Sequence, residues 1–258
     1  MASDSVGTKQ KNLEETYNTK LPPKIPVMGR LDGRAFHTFT KKWCEKPYDA
    51  EFHKCIWNSV IEIANDISGL RVAYCQSDEI TILITDFGEN QQPWFDNRIQ
   101  KLSSVTASLM TGAFIKHFAK YKPEILDHKL PVFDARFWSI PEEEVAENFL
   151  WRQSDAIKNS ISSLGFSLFS HRQLFGLNSL QIREKAKSEK GIDWNSLPDA
   201  QKWGVCIRKE VYRDVLPVSI KGVITQTEVA RNRWVVEDIP CLSESYFRNF
   251  IRKVSPDK

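Results

Sequence analysis

The sequence lacks any apolar run that approaches the roughly 18 residues of a membrane-spanning helix, so we expect no membrane segment. Its first 20 residues are polar and mixed in charge, which excludes the apolar centre of a secretory signal peptide. The acidic residues there also weigh against a mitochondrial presequence, since such presequences contain few acids. We therefore expect a cytoplasmic protein, while a mitochondrial location stays open.

Cysteine is also scarce, and no two cysteines have the spacing of a zinc finger or a redox motif. We expect the five to be reduced thiols: Cys44, Cys55, Cys75, Cys206 and Cys241. The net charge is only +3, so contact with a nucleic acid would need a local basic patch. The 258 residues, 41% of them hydrophobic, suffice for one large domain or two small ones.

Residues 72–84 (VAYCQSDEITILI) are the most informative stretch, because two β-prone runs flank a polar turn with adjacent carboxylates. Residues 80–85 alternate in the period of a strand, and Leu83 indicates that the second face is covered as well. Asp78 and Glu79 at such a turn repel each other and lose hydration near a buried sheet. A divalent cation would relieve both costs, so the turn predicts a Mg²⁺ site.

The segments around this hairpin predict the order βαββαβ. A strand at 27–31 leads into Asp32, helices follow at 50–68 and 94–120, and another strand lies at 131–138. We therefore predict an α+β fold with a ferredoxin-like palm catalytic domain. In that topology Asp32 and Asp78 leave neighbouring strands side by side.

The segments before and after this βαββαβ unit show weaker patterns of secondary structure. Residues 1–20 are expected to be flexible at first and helical near 12–17. Helices are predicted at 141–169 and 180–190, and strands at 203–207 and 223–236. We divide the chain into a palm domain with its N-terminal extension, 1–138, and a helical and β-hairpin extension packed on it, 139–258.

Several side chains are candidates for metal, nucleotide or RNA binding, and most have a plain structural explanation as well. Asp32, Asp78 and the Gly33 carbonyl are hard oxygen ligands of the kind that Mg²⁺ prefers, although a turn cap and a solvated hairpin tip would also account for the acids. Backbone N–H groups after Gly33 could hold phosphates. Six candidates could be structural, as a cap, a solvated face or a polar network, or could contact nucleotide or RNA: His37, Asp49, Arg98, Lys101, Arg152 and Asn159. Lys46 has no evident structural role and could neutralise a triphosphate, and Arg208 and Lys209 could follow a phosphate backbone.

Four motifs together resemble the tRNA-His guanylyltransferase superfamily, whose members polymerise in the 3′–5′ direction. They are residues 30–37 (RLDGRAFH), 46–49 (KPYD), 74–79 (YCQSDE) and 151–155 (WRQSD). Residues 170–176, 190–195 and 203–207 resemble the guanylyltransferase-like branch of that superfamily.

The resemblance implies a palm enzyme with two Mg²⁺ ions that uses ATP, GTP and other nucleoside triphosphates on tRNA, and a homotetramer. It implies that Asp32, Gly33 and Asp78 hold metal and that Asp32, Asp78 and Glu79 are catalytic. The implied nucleotide contacts are Gly33, Arg34, Ala35, Phe36, His37, Lys46, Asp49 and Ser77. The predicted contacts to tRNA or its 5′ end are Arg30, Arg98, Lys101, Arg152, Asn159, Arg208 and Lys209.

One departure from the family pattern bears on the substrate. Histidine-specific members continue the fourth motif with His-Ile-Asn-Asn, whereas here only Asn159 of residues 157–160 (IKNS) matches. This favours template-dependent repair or editing of 5′-truncated tRNA over guanylate addition to tRNA-His. Two further functions stay open: a palm nucleotidyltransferase or cyclase acting on free nucleotides, and a non-catalytic RNA-binding protein.

Overall fold

The computed structural model describes residues 2–220 and 223–252, and the side chains of residues 5–217 and 226–250. Within these residues six strands form one antiparallel sheet in the order β4-β1-β3-β2-β5-β6. The strands are β1 (Val27–Gly33), β2 (Leu70–Gln76), β3 (Glu79–Ile84), β4 (Phe133–Ser139), β5 (Val205–Ile220) and β6 (Val223–Asp238).

The described chain also contains α-helices, which cover both faces of the sheet. They are α1 (Ala2–Glu15), α2 (Phe36–Trp43), α3 (Ala50–Ile63), α4 (Ile99–Tyr121), α5 (Val145–Leu168), α6 (His171–Leu174), α7 (Ser179–Lys190), α8 (Asp199–Trp203) and α9 (Glu244–Arg252). Short 3₁₀ turns lie at Trp94–Asn97, Pro123–Asp127, Glu142–Glu144 and Trp194–Ser196.

Strand β3 shows why the sheet is covered twice. Ile80, Ile82 and Ile84 are buried in a cluster with α3 and α4, while Leu83 is buried on the opposite face with residues of α5 and α9. Successive side chains of a strand point to opposite faces, so the alternation predicted from the sequence is confirmed. The order β4-β1-β3-β2 is that of a ferredoxin-like unit, and the α+β prediction is also confirmed.

Several predicted helix boundaries are wrong, among them the start at residue 141, since α5 begins at Val145. Helix α1 begins at Ala2 rather than near residue 12, and α3 ends at Ile63 rather than at residue 68. The helix predicted from residue 94 begins at Ile99, because Phe95 and its two successors adopt positive φ within a 3₁₀ turn. Helix α2 has no counterpart in the sequence prediction.

The largest difference is the length of β5, which spans 16 residues instead of the five predicted. Only residues 205–208 pair with β2, so the remainder of β5 and β6 leaves the sheet as a two-stranded ribbon. Because the ribbon's side chains are largely exposed on both faces, its sequence carries no alternation of polar and apolar residues.

The proposed division at residue 138 stays a prediction, and residues 221–222 and 253–258 of the C-terminal part lie outside the described residues. All five cysteines are free, as expected from their spacing. Within the part of the chain that the structure describes, no helix is long and apolar enough to span a membrane.

Candidate active site

Asp32 and Asp78 lie together at one end of the sheet. Asp32 is directly opposite Glu79 in the β1–β3 pairing, and Asp78 precedes Glu79 in the tight turn between β2 and β3. A Cβ atom placed on Gly33 would lie 2.8 Å from Asp78 Oδ2, so the end of β1 closely approaches this carboxylate. The structure therefore brings together the three residues that the sequence predicted as metal ligands.

The negative charge of this pair is not compensated by the protein. Burial is the main cause that raises the pKa of Asp78 to about 6, and the charges of Asp32 and Glu79 act in the same direction. Hydrogen bonds from its own N–H and the Ser77 hydroxyl lower the pKa. Among the described residues, no cationic side chain forms an ion pair with Asp32 or Asp78. The site therefore favours a positive charge brought from outside.

Glu79, in contrast, is fully engaged by α5. Arg152 Nε and Nη2 each donate to a Glu79 carboxylate oxygen at 2.7 Å, and Nη2 also lies 3.2 Å from Asp155. Arg152 is only 5% exposed. The bidentate pair fixes α5 against the β2–β3 turn and leaves Asp32 and Asp78 as the uncompensated acids.

A cavity of about 310 Å³ opens beside these acids. Its walls come from the end of β1, the β2–β3 turn, the segment before α3 with the first turn of that helix, the middle of α5, and α8 with the residue after it. They comprise Asp32, Pro47, Tyr48, His53, Gln76, Ser77, Asp78, Glu79, Ala156, Asn159, Ser160, Ser163, Ala200, Gln201 and Gly204. The cavity is large enough for part of a nucleotide, and its lining offers hydroxyl, amide and carboxylate groups.

The turn that follows Asp32 exposes backbone as well as the side chains of Arg34 and His37. Ala35 has φ 58° and stands at the N-cap of α2, and Ser77 in the neighbouring turn has φ 49°. Strained non-glycine residues of this kind persist where surrounding structure holds them, often at functional sites. The N–H groups of Phe36 and His37, the first two of α2, have no intrahelical acceptor and are available to an anion, whereas the Thr38 N–H already donates to the Ala35 carbonyl.

The donors at this site fit a hard divalent cation. They are two carboxylates and the Gly33 carbonyl, all oxygen, beside an uncompensated negative charge. No group of three or more His, Cys, Asp or Glu side chains suited to a metal occurs among the described residues. The remaining ligands of a bound ion would therefore have to be water or a bound nucleotide.

Comparison with known proteins supplies the identity of the family. The family model of tRNAHis guanylyltransferase matches residues 7–141, more than half of the chain. The chain belongs to the tRNAHis guanylyltransferase family. It is thus a member of a family of nucleotidyltransferase enzymes.

The individual relatives of this guanylyltransferase-family chain cover most of its length. A bacterial tRNA(His) guanylyltransferase-like protein in complex with ATP is 38% identical, with a TM-score of 0.83 over 95% of this chain and 98% of that one. Such a protein in complex with GTP is 37% identical, with a TM-score of 0.76 over 96% and 99% of the two chains. The tRNA(His) guanylyltransferase of Schizosaccharomyces pombe is 30% identical over 205 residues, 74% of this chain and 77% of its own length.

Two predicted RNA contacts of this guanylyltransferase-family chain lie far from its acids. Strand β3 runs from Glu79, beside Asp32, to Ile84, and α4 begins beyond that far end. Arg98 and Lys101 are therefore separated from Asp78 by about 17 Å of strand or more. Arg98 forms ion pairs with Glu15 and Asp96 instead. Within one chain, the prediction that Arg98 and Lys101 join the nucleotide region is not supported.

Arg208 and Lys209 also lie away from the cavity. The cavity end of β5 is Val205, opposite Cys75, whereas Arg208 is opposite Val72 further along the sheet. Successive residues of a strand point to opposite faces, so the two cations diverge. Arg208 pairs with Glu237, and the Lys209 ammonium lies 5.1 Å from the centre of the Trp234 ring.

The positions of three other predicted residues exclude some of the contacts expected for them. Arg152 is buried and its guanidinium is hydrogen-bonded to Glu79, so the structure does not support a direct contact between Arg152 and RNA. The Phe36 side chain is a core residue at 1% exposure, so only its backbone faces the turn. Asp49 is the buried N-cap of α3 and does not line the cavity.

The remaining candidates lie at or near the cavity. Asn159 lines its α5 wall, and exposed Lys46 precedes the wall residue Pro47 and donates to Thr40 at 2.8 Å. Arg34 and His37 are exposed on the turn before and within α2. Arg30 lies two residues before Asp32 on the same face of β1, and its buried Nε has no partner among the described residues.

Sequence reasoning missed an aromatic wall. The rings of Tyr48 and His53 stack with centroids 4.1 Å apart, and both line the cavity. His53 Nδ1 lies 2.7 Å from the Asp49 carbonyl, which can only accept, so Nδ1 carries the proton and Nε2 is an acceptor. Burial lowers the pKa of His53 to about 4 and keeps the ring neutral. The capping pattern at Asp49 was the available signal, since it places His53 on the first turn of α3.

The sequence prediction also passed over Asp134, which stands directly opposite Asp32 on β4. Its carboxylate is half exposed and accepts from Arg136 Nη2 at 3.0 Å. It thus adds to the acidic end of the sheet but has its own cation.

Proposed function

We propose that this protein is a Mg²⁺-dependent 3′–5′ nucleotidyltransferase that adds nucleotides to the 5′ end of tRNA, in template-dependent repair or editing of 5′-truncated molecules. The observation that carries this proposal is the uncompensated Asp32–Asp78 pair at the mouth of a 310 Å³ cavity. Membership of the guanylyltransferase family, and relatives solved with ATP and with GTP, support nucleoside triphosphates as co-substrates.

Asp32, Asp78 and the Gly33 carbonyl are the groups that would hold Mg²⁺, and we propose two ions, as the family resemblance implies. When bound, the metal neutralises phosphate charge and lowers the pKa of a coordinated hydroxyl. Arg152 acts as a positioning residue in this proposal, because its bidentate contact with Glu79 fixes the turn that carries Asp78.

The triphosphate is proposed to lie on the backbone N–H groups at the start of α2, with Ser77 beside it. Tyr48 and His53 offer a flat wall for a base, and His53 Nε2 offers one acceptor. Asn159, Ser160 and Ser163 supply further polar groups along α5. The 3′-hydroxyl of the incoming nucleotide would lose its proton and attack the RNA 5′-phosphorus that bears a pyrophosphoryl or adenylyl group. The new phosphodiester bond forms as the bond to the leaving group breaks, which releases pyrophosphate from a 5′-triphosphate or AMP from an adenylylated end.

The preference for repair rests on the α5 wall. Its residues at positions 157–160 keep only Asn159 of the four-residue segment typical of histidine-specific enzymes. We also propose that the protein is a homotetramer, since a long ribbon leaves the sheet with exposed apolar residues, Val211 at 69% and Val215 at 52%.

The deciding experiment uses a tRNA transcript that lacks its first nucleotide and carries a 5′-triphosphate. Each nucleoside triphosphate is added singly with Mg²⁺, and the opposing base of the acceptor strand is varied. We expect the added nucleotide to pair with that base in every case. Addition of G alone, and only to tRNA-His, would replace repair by the specialised activity, and absence of any addition would overturn the proposal.

A further inference from the structure

A second cavity, of about 370 Å³, lies where the ribbon leaves the sheet, and we call it the ribbon-base cavity. Strand β2, the start of β5, the end of β6 and α9 enclose it. Its lining is Leu70, Arg71, Arg208, Lys209, Val211, Asn232, Glu237, Tyr246, Asn249 and Phe250. Five residues of extended β2 separate Arg71 from Gln76 at the first cavity, a distance of roughly 17 Å.

Two cations that line the ribbon-base cavity, Arg71 and Lys209, have no ion pair among the described residues, and Arg71 is the more buried of the two. Arg71 is half-buried, and Nε donates to the neutral Thr85 hydroxyl at 2.6 Å. Burial lowers the pKa of Arg71, and no ion pair to Arg71 occurs among the described residues. Arg208 differs, since it pairs with Glu237, which also accepts from the Tyr246 hydroxyl at 2.9 Å. A half-desolvated guanidinium without an acid is costly unless an anion joins it.

Aromatic rings lie beside this cation. Tyr246 and Phe250, one helical turn apart on α9, both line the cavity and are half-buried, with ring centroids 5.0 Å apart. The amides of Asn232 and Asn249 complete the wall. A cation beside half-exposed aromatic rings is the combination that binds single-stranded nucleotides, where the phosphate meets the charge and the base stacks on a ring.

We infer that the ribbon-base cavity binds one unpaired nucleotide of the RNA substrate, away from the reacting 5′ end. Arg71 contacts its phosphate and its base stacks on the Phe250 ring, since the Tyr246 and Phe250 rings meet edge to face. The inference rests on the proposed function, which supplies an RNA long enough to reach both cavities. A free nucleoside triphosphate has the same chemistry, and the test separates the two sources.

The test measures binding of full-length tRNA transcript to the full chain over a range of salt concentrations. For Arg71→Gln we expect the negative slope of log K against log salt to become shallower by about 1, because one phosphate contact is lost. For Phe250→Leu, which keeps apolar packing without a ring, we expect affinity about 10-fold weaker with the slope unchanged. Arg71→Lys should keep the slope and thereby show that charge, not folding, is responsible.

Lys116→Gln is the matched control, since Lys116 is an exposed cation on α4 that pairs with Glu62, remote from both cavities. It should bind tRNA as the wild type does. In the nucleotide-addition assay, Arg71→Gln should raise the KM for tRNA and leave kcat and the KM for ATP unchanged. A raised KM for ATP would instead assign the cavity to free nucleotides.

The failure of this inference can be told from failure of the proposed function. If the wild type adds nucleotides to tRNA while Arg71→Gln and Phe250→Leu match Lys116→Gln in affinity and slope, only the ribbon-base site is overturned. If the wild type neither binds nor extends tRNA, the proposed function falls and the inference with it. Thermal unfolding of each variant identifies a loss of affinity caused by misfolding, and such a result for both substitutions would also overturn the site.

Discussion

At the scale of single residues, substitution of Asp78 is expected to have the largest effect on activity. Asp78→Asn should lower the rate of nucleotide addition by at least roughly 100-fold, as expected for loss of one electrostatic group in a site. The free energy of unfolding of Asp78→Asn should be equal to that of the wild type or higher, because burial and two neighbouring acids disfavour the charged form of Asp78. Asp127→Asn, at an exposed position, is the control. Wild-type activity of Asp78→Asn would remove Asp78 from the reaction.

Protonation of His53, on the cavity wall, is expected to make the stability of the protein depend on pH. Its pKa is about 4 in the folded chain against about 6.5 when unfolded, so the unfolded state binds more protons between these values. Stability should therefore fall as pH falls through this window, and His53 should account for about 2 kcal/mol between pH 7 and pH 5.

Urea unfolding at the two pH values measures this effect of His53. His53→Phe keeps a ring against Tyr48 and should reduce the pH dependence by that amount. Exposed His171→Phe serves as the comparison. An unchanged pH dependence in His53→Phe would show that the ring is not held neutral by burial.

At the scale of elements, strands and the hairpin were predictable because burial of both faces leaves a clear pattern in residues 72–84. Asp32, Gly33 and Asp78 were predictable too, since topology alone puts the ends of β1 and β3 side by side. The ribbon was not, because its residues pack against no second layer and carry no periodicity. Tyr48 and His53 were missed because the Asp49 cap places His53 on the first turn of α3 but does not show that its ring meets that of Tyr48.

Substitution of Asp49, the N-cap of α3, distinguishes a purely structural role from one that also affects nucleotide binding. Its carboxylate accepts from the N–H groups of Phe52 and Glu45 and from the Tyr121 hydroxyl. Asp49→Ala should cost about 1–2 kcal/mol of stability through the cap. It should also raise the KM for nucleotide, since Glu45 to Asp49 includes the wall residues Pro47 and Tyr48.

Asn178→Ala is the matched control for that experiment, because Asn178 caps α7 in the same way but lies outside the cavity lining. It should lose comparable stability and keep the KM. If Asp49→Ala also keeps the wild-type KM at a temperature where it is folded, the role of Asp49 is confined to the cap.

At the scale of the whole molecule, the two cavities and the ribbon share one sheet. Strand β2 ends at the acidic turn and begins at the ribbon-base cavity, while β5 continues from that sheet into the ribbon. A shift of β5 against β2 would thus affect both cavities at once. An RNA held at one cavity is therefore placed relative to the other by a rigid element rather than by a linker.

We predict that the ribbon contributes contacts between copies of the chain. A two-stranded ribbon is marginally stable alone in water, so its exposed valines favour contact with another copy of the chain. Replacing residues 213–230 by Asn-Gly would close the register pair Tyr212–Arg231 with a two-residue hairpin turn. The β2–β5 pairing at residues 205–208 stays intact, so thermal unfolding should remain cooperative. Sedimentation should show roughly four times the 29.8 kDa chain mass for the wild type and a smaller assembly for the shortened chain. A shortened chain that sediments as the wild type does would place the subunit contacts on the sheet and helices instead.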